Sequence, residues 1–190
     1  MKLRPAPPES NLVERAEILD SVGMARVLRR LAFEIVERNG GDAYVVGIHT
    51  GGALLAERMV KLLAASGEKR PDLGAIDITL YRDDVFSGLP KPEIGATDLK
   101  KTIDGRVVVL VDDVLYTGRT VRAAMDVLLD YGRPRAVQLA VLVDRGQREL
   151  PVQPDFVGIK VPTTPVQSVR VMLAEKGEAD RVVLRERSGT

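Results

Sequence analysis

A chain of 190 residues, 45% of them hydrophobic, has apolar material for one domain with a packed core. It contains no cysteine, which excludes a disulfide framework and a thiolate metal site, and no apolar run reaches the ~20 residues of a membrane span. With 28 Lys and Arg against 27 Asp and Glu the net charge is +1, so any nucleic-acid surface must be a local patch. Nothing at the N-terminus resembles a signal peptide, and a cytoplasmic location is the expectation.

Residues 1 to 11, with Pro5, Pro7 and Pro8, read as a loosely held tail. A single domain is expected over residues 12–190, with its core at about 20–150. Val13 to Leu19 suits a short strand. Asp20 or Ser21 then caps a helix whose Leu28, Leu31, Ala32 and Ile35 share one face. The opposite face carries Arg26, Arg29, Arg30, Glu34, Glu37 and Arg38. On charge pattern alone this is a solvated face with helical ion pairs such as Arg30 with Glu34.

Asn39-Gly40-Gly41 ends that helix, and Tyr44 to Ile48 reads as a buried strand. It delivers His49-Thr50-Gly51-Gly52 to the start of a helix over Ala53 to Ala65. His49, the only histidine, is open to a catalytic reading and to a packed, neutral one. Ile76, Ile78 and Leu80 alternate with Asp77, Thr79 and Tyr81, the pattern of a strand with one buried face. The stretch Asp83 to Thr102, with Gly88, Pro90, Pro92 and Gly95, is too long for an idle connection in a compact domain.

The stretch from Arg106 to Thr120 organises the chain. Val107 to Val111 read as a strand buried on both faces, ending at the adjacent carboxylates of Asp112 and Asp113. Thr117, Gly118, Arg119 and Thr120 lead into an amphipathic helix reaching Tyr131. Amides of such a turn, with the first turn of the helix, converge on an anion, and the Thr117 and Thr120 hydroxyls add donors. Two carboxylates just ahead of a phosphate cradle would repel the anion unless an uncharged group lay between. A ribose is such a group, because its hydroxyls donate to carboxylates. The pattern is that of a ribose 5-phosphate clamp.

After Gly132 and Pro134, Val137 to Val143 form another buried strand whose end presents Asp144-Arg145-Gly146. Four strand ends thus meet at one rim. Alternating strands and helices imply a parallel sheet with right-handed crossovers, and ligands of such sheets bind beyond the carboxyl ends.

Val-Leu-Val-Asp-Asp-Val-Leu-Tyr-Thr-Gly-Arg-Thr resembles the phosphoribosyl-diphosphate (PRPP) signature of type I phosphoribosyltransferases. With Asp77 to Asp84 before it and Gln138 to Gly146 after it, the chain is similar to the PyrR family from about Glu14 to about Val171. That family joins attenuation of the pyrimidine operon to uracil phosphoribosyltransferase activity.

The resemblance implies an α/β fold, a parallel sheet flanked by helices, with a small hood from about 12–19 and 151–187 over the base. It implies PRPP, uracil and UMP as ligands, Mg²⁺ carried by the diphosphate, and a homodimer or homotetramer. Asp112, Asp113 and Arg82 are the expected catalytic residues. Asp112, Asp113, Tyr116, Thr117, Gly118, Arg119 and Thr120 are expected to hold ribose and phosphate, and Thr50, Gly51 and Gly52 the diphosphate. Relatives commonly carry arginine where this chain has Gly51.

The stretch from Asp83 corresponds to the family's lid, with Arg82 at its root. Arg145, Val157 and Val169 are candidates for the base edge, or else hood core residues and a surface arginine. No direct protein ligation of a metal is expected. Tyr116 stands where purine enzymes carry an acidic residue, which argues against a purine base.

The family's regulatory half implies binding of the pyrimidine-operon leader mRNA through Arg26, Arg29, Arg30, Arg148 and Lys160, read on exposed faces. Phe33 and Gln147 stand where the family suggests histidines. A purely metabolic phosphoribosyltransferase for uracil or a purine base, without RNA binding, is the alternative.

Overall fold

The computed structural model describes residues 12–79 and 97–188. The tail, Arg82 and most of the expected lid lie outside them. The chain runs β1 (Leu12–Leu19), α1 (Ser21–Asn39), β2 (Tyr44–Ile48), α2 (Gly51–Ala65), β3 (Asp72–Ile76), β4 (Val107–Leu115), α3 (Arg119–Asp130), β5 (Ala136–Asp144), β6 (Phe156–Lys160), β7 (Gln167–Met172), a 3₁₀ turn at Ala174–Lys176, and β8 (Arg181–Arg187). Five strands form a parallel sheet in the order β3-β2-β4-β5-β6, and β1-β8-β7 form a second, antiparallel sheet.

The unbroken apolar runs are explained by cover on both faces of the parallel sheet. Val45, Val109, Val111, Ala140 and Leu142 meet Leu28, Leu31 and Ile35 of α1 and Leu55, Met59 and Leu63 of α2. Their neighbours Val46, Ile48, Val108, Leu110, Leu139 and Val141 meet Val121, Ala124, Val127 and Leu128 of α3. Each fully buried Val, Leu, Ile or Met side chain among them contributes about 1.5–3 kcal/mol, so the layered core outweighs any surface contact. Helix α1 starts where its cap allows: Asp20 Oδ1 accepts the Gly23 amide at 2.7 Å. It ends at Gly40, φ 65°, whose amide reaches Val36 O.

Three expectations are corrected. The strand read over Ile76 to Tyr81 ends at Ile76 and begins instead at Asp72, paired with β2 from Tyr44↔Asp72 to Ile48↔Ile76. Asp77 ends it by accepting the Thr79 amide on its own carboxylate at 2.7 Å, a local turn that competes with the ladder. The central strand does not stop at the carboxylates but carries them inside its ladder, with Asp112↔Val141 and Leu115↔Asp144. Phe156–Lys160, read as part of the hood, is the fifth strand of the parallel sheet, in register with β5 from Ala140↔Phe156 to Asp144↔Lys160.

The chain leaves β2 for β3 on one side and returns to β4 on the other, which makes the gap between the ends of β2 and β4 the switch point of the sheet. In open sheets of this kind that gap is where ligands sit.

Candidate active site

Two loops flank the switch point. After β2, the His49 amide donates to Ile76 O at 2.9 Å and prolongs the pairing by one residue. The His49–Thr50 peptide is cis. Helix α2 begins at Gly51, two residues before the expected start, with Thr50 as a cap whose side chain makes no capping bond.

Both glycines are buried and neither has room for a side chain. A Cβ on Gly51 would lie 2.1 Å from Asp113 Oδ2, and one on Gly52 would lie 2.1 Å from Val111 O. Glycine here lets the first turn of α2 close on β4. The space that an arginine at position 51 would need is filled by the Asp113 carboxylate.

On β4 the paired carboxylates divide. Successive strand residues point to opposite faces, so Asp113 lies with Val109 and Val111 on the α2 side and Asp112 with Leu110 on the α3 side. Asp112 is 7% exposed and accepts the Asp113 amide on Oδ1 at 2.9 Å; Asp113 Oδ1 accepts the Val114 amide at 2.8 Å. Each carboxylate is thereby fixed by the backbone that follows it.

The turn after β4 carries the anion-binding geometry. Gly118 sits at φ 93°, a region that only glycine enters cheaply, and caps α3. The Arg119 amide reaches Thr117 Oγ1 at 3.3 Å, which leaves the hydroxyl proton available to an anion. The first amides of α3 have no carbonyl one turn earlier to bind, and the helix dipole adds positive potential there. Thr117 and Thr120 are half-buried at this mouth. The Arg119 guanidinium is turned to Glu149, with Nε–Oε2 at 2.8 Å, so its backbone rather than its side chain faces the turn.

On the far side of the loop lies a structural bracket. The Arg145 guanidinium stacks on the Tyr116 ring at 3.8 Å from its centroid, while its Nε donates to Thr163 Oγ1 and its Nη2 to Gln167 O. Arg145 is only 8% exposed, and burial lowers its pKa. Among the described residues it pairs with no carboxylate. It therefore joins the turn after β4 to the segment from Thr163 to Gln167.

Val157 is half-buried on β6, where its carbonyl accepts from Arg30. Val169 packs as a hood core residue: it is 8% exposed, its side chain enters the core, and its backbone pairs with Leu184.

The arginines expected on an RNA face separate into two kinds. Arg26 and Arg29 are exposed on α1, with Arg29 lying over the Phe33 ring at 5.7 Å. Arg30 pairs with Glu34 at 2.6 Å, as expected, and also holds the carbonyls of Val157 and Gly158. Lys160 is exposed at the end of β6.

Arg148 is a correction. Its side chain is 17% exposed and is spent on the carbonyls of Tyr116, Gly146 and Val152 and on the Asp144 carboxylate. Its burial was hidden because the acceptors that make burial tolerable are mostly backbone carbonyls, which residue types do not reveal. Asp144, Glu149 and Thr163 were missed because their partners Arg148, Arg119 and Arg145 meet them only in the folded chain; the only outward signal was Asp-Arg-Gly-x-Arg following a buried strand.

No helix among the described residues is long and apolar enough to cross a membrane, and no group of three or more His, Cys, Asp or Glu among them is placed to hold a metal. The phosphoribosyl transferase domain family matches residues 14–176. The bifunctional protein PyrR of Thermoanaerobacter sp. (strain X514) is 51% identical over 175 residues, covering 91% of this chain and 98% of that protein. The bifunctional protein PyrR of Thermus thermophilus is 49% identical over 177 residues, 92% of this chain and 98% of its own.

Among solved structures, a hypoxanthine phosphoribosyltransferase of Trypanosoma cruzi superimposes with a TM-score of 0.68 at 14% identity, over 92% of this chain and 98% of that one. A hypoxanthine-guanine phosphoribosyltransferase of Bacillus anthracis does so at 0.65 and 18%, over 92% and 99%. At those identities the likeness concerns the fold, here the type I phosphoribosyltransferase sheet. With the domain match and the high-coverage relatives taken together, the chain belongs to the PyrR family of phosphoribosyltransferases.

Proposed function

We propose that the protein is a uracil phosphoribosyltransferase, converting uracil and PRPP to UMP and diphosphate, and a regulator that binds the pyrimidine-operon leader mRNA in response to UMP or PRPP. The observation that carries the enzymatic reading is the junction of α2, β4 and α3, where Asp113 abuts Gly51 while Gly118, at positive φ, caps α3 with no side-chain bond to its first amides. Ribose hydroxyls donate to Asp112 and Asp113, the 5-phosphate takes the 117–120 turn, and the diphosphate lies along Thr50, Gly51 and Gly52. Arg82, outside the described residues, is the side chain we assign to the diphosphate.

Uracil N1 attacks the anomeric carbon. The carbon–oxygen bond to diphosphate breaks, its electron pair leaves on the diphosphate oxygen, and the N1 proton is released. Positive charge grows on the sugar as that bond lengthens. Carboxylates already fixed beside it stabilise the transition state more than the ground state. When bound with the substrate's diphosphate, Mg²⁺ would supply charge neutralisation at the leaving group. Asp112 and Asp113, hard oxygen acceptors, suit the ribose oxygens and the hydration shell of such an ion.

The regulatory half rests on the exposed guanidinium groups of Arg26 and Arg29, supported by Arg30 and Lys160. One observation favours the purely metabolic alternative: Gln147 turns its amide into the hood, donating to Thr163 Oγ1 at 3.0 Å, instead of presenting a polar group outward. A filter-binding titration of the leader RNA with and without UMP, beside turnover on uracil, hypoxanthine and xanthine, tests both halves. The expected result is turnover on uracil and tighter RNA binding with UMP. Turnover on a purine alone, or RNA binding indifferent to UMP, overturns the corresponding half, since a ligand must distinguish two states to shift them.

A further inference from the structure

The three carbonyls preceding Gly118 are all held by one loop. Leu115 O accepts the Arg145 amide at 3.1 Å, Tyr116 O accepts Arg148 Nη1 at 2.9 Å, and Thr117 O accepts the amides of both Glu149 and Leu150 at 3.0 Å. In a planar trans peptide the C=O of one residue and the N–H of the next point in opposite directions. Fixing the carbonyls of Tyr116 and Thr117 toward the 145–150 loop therefore aims the amides of Thr117 and Gly118 the other way, toward the mouth of α3.

Two of these three carbonyls are held by backbone amides, as an extension of the ladder would hold them. Tyr116 O is the exception, because its donor is a side chain.

That side chain is itself immobilised. Arg148 Nη2 lies 2.6 Å from Asp144 Oδ1, which also accepts the Gly146 amide at 3.0 Å, and Arg148 Nε reaches Val152 O at 3.1 Å. A planar guanidinium with five donors satisfies this divergent set of acceptors at once; a lysine ammonium, with three donors on one atom, does not. Buried arginines seated on carbonyls are costly unless the acceptors are well placed, and here the acceptors include the backbone of the phosphate turn.

We infer that Arg148, held by Asp144, is a positioning residue that aims the phosphate-turn amides at the 5-phosphate. It acts through the Tyr116 carbonyl and contacts neither ligand nor RNA. The inference rests on the reading of the 117–120 turn as a phosphate site.

The test compares UMP with uridine, which lacks only the phosphate, by calorimetry on the full-length protein. Arg148→Gln should lower UMP affinity by about 10-fold or more, because a displacement of about an ångström suffices for losses of that order, and leave uridine binding where it was. Arg148→Lys should recover part of the loss. Asp144→Asn should move UMP affinity in the same direction by less, and it serves if Arg148→Gln fails to fold. The KM for PRPP should rise with little change in the KM for uracil. The salt slope of leader RNA binding should be that of the wild type.

Equal losses for UMP and uridine would make Arg148 a general strut and overturn the inference. Unchanged UMP binding, or an RNA salt slope reduced by one contact, would overturn it too. A wild-type protein that bound uridine as tightly as UMP would instead remove the phosphate site on which the inference stands.

Discussion

The active-site rim and the outer face of α1 are both rich in arginine, yet they hold it in opposite ways. At the rim, Arg145 and Arg148 are mostly buried and each is fixed by several partners. On α1, Arg26 and Arg29 are exposed, and Arg29 meets a single aromatic ring. The contrast separates guanidinium groups that act as a scaffold, surrounded by carbonyls, from exposed ones, which we propose as RNA contacts. Rim substitutions should disturb catalysis or folding without touching RNA, and α1 substitutions should do the reverse.

The largest expected effect is at Gly52. A Cβ there meets the Val111 carbonyl, which belongs to the central strand and cannot yield cheaply, so Gly52→Ala should cost about 1–3 kcal/mol of stability, read as a lower urea midpoint at unchanged m. A midpoint equal to wild type would mean that α2 slides freely on β4.

Next is Asp113→Asn. It keeps the shape but removes the charge and one of the acceptor oxygens, with an expected fall of at least ~10-fold in kcat/KM for PRPP, ~1.4 kcal/mol of transition-state stabilisation. RNA affinity should not move. PRPP kinetics equal to those of the wild type would remove Asp113 from the ribose site.

On the other side of the comparison, Arg26→Gln and Arg29→Gln should each flatten the dependence of log affinity for leader RNA on log salt by ~0.7, one phosphate contact on single-stranded RNA, and spare uracil turnover. A double variant with the wild-type slope would move the RNA surface elsewhere.

The smallest effect concerns the ion pairs that join α2 to the segment between β7 and β8. Arg58 bonds both Glu175 and Asp180, and this holds both carboxyls below their ordinary values. A carboxyl whose pKa is lower in the folded state stabilises the fold above its unfolded value, about 3.9 for Asp and 4.3 for Glu, and loses that contribution as pH falls through the folded value. Stability should therefore drop below about pH 4 more steeply in the wild type than in Asp180→Asn. The difference is a fraction of a kcal/mol, because these groups are partly exposed. Identical acid limbs in urea titrations would show that the pairs contribute nothing measurable.

How far the sequence spoke for itself depended on which physical signal each part carried. β2, β4 and β5 were plain because strands covered on both faces need unbroken apolar runs, and the 117–120 turn was plain because Thr and Gly there have few other uses. β3 was obscure: Gly74 interrupts its pattern, and the structure explains the glycine by the side chains of Leu99 and Tyr44 and the Asp98 carbonyl crowding the position. The alternation of Ile76 and Ile78 was real burial, at 0% and 3% exposure, but it continued past the end of the ladder and drew the strand too far along. The allegiance of β6 was unreadable because an edge strand of either sheet has the same composition. At the site, the carboxylates and glycines were legible, whereas the arginine scaffold depended on backbone acceptors that only the folded chain supplies.

The antiparallel sheet has a consequence for how the protein is made. Its middle strand is β8, and β1 pairs with it from Leu12↔Arg187 to Leu19↔Val182. Strands so distant along the chain meet only at a high entropic cost and late, so β1 must wait until β8 has been made. On the ribosome, β2 to β6 can assemble and close over their helices while β1 still lacks its neighbour. A nascent chain can therefore have its 117–120 turn in place while the antiparallel sheet is unfinished. The same adjacency means that a rearranged chain in which Arg187 ran on into Leu12 through a short turn would make β8 and β1 a local hairpin.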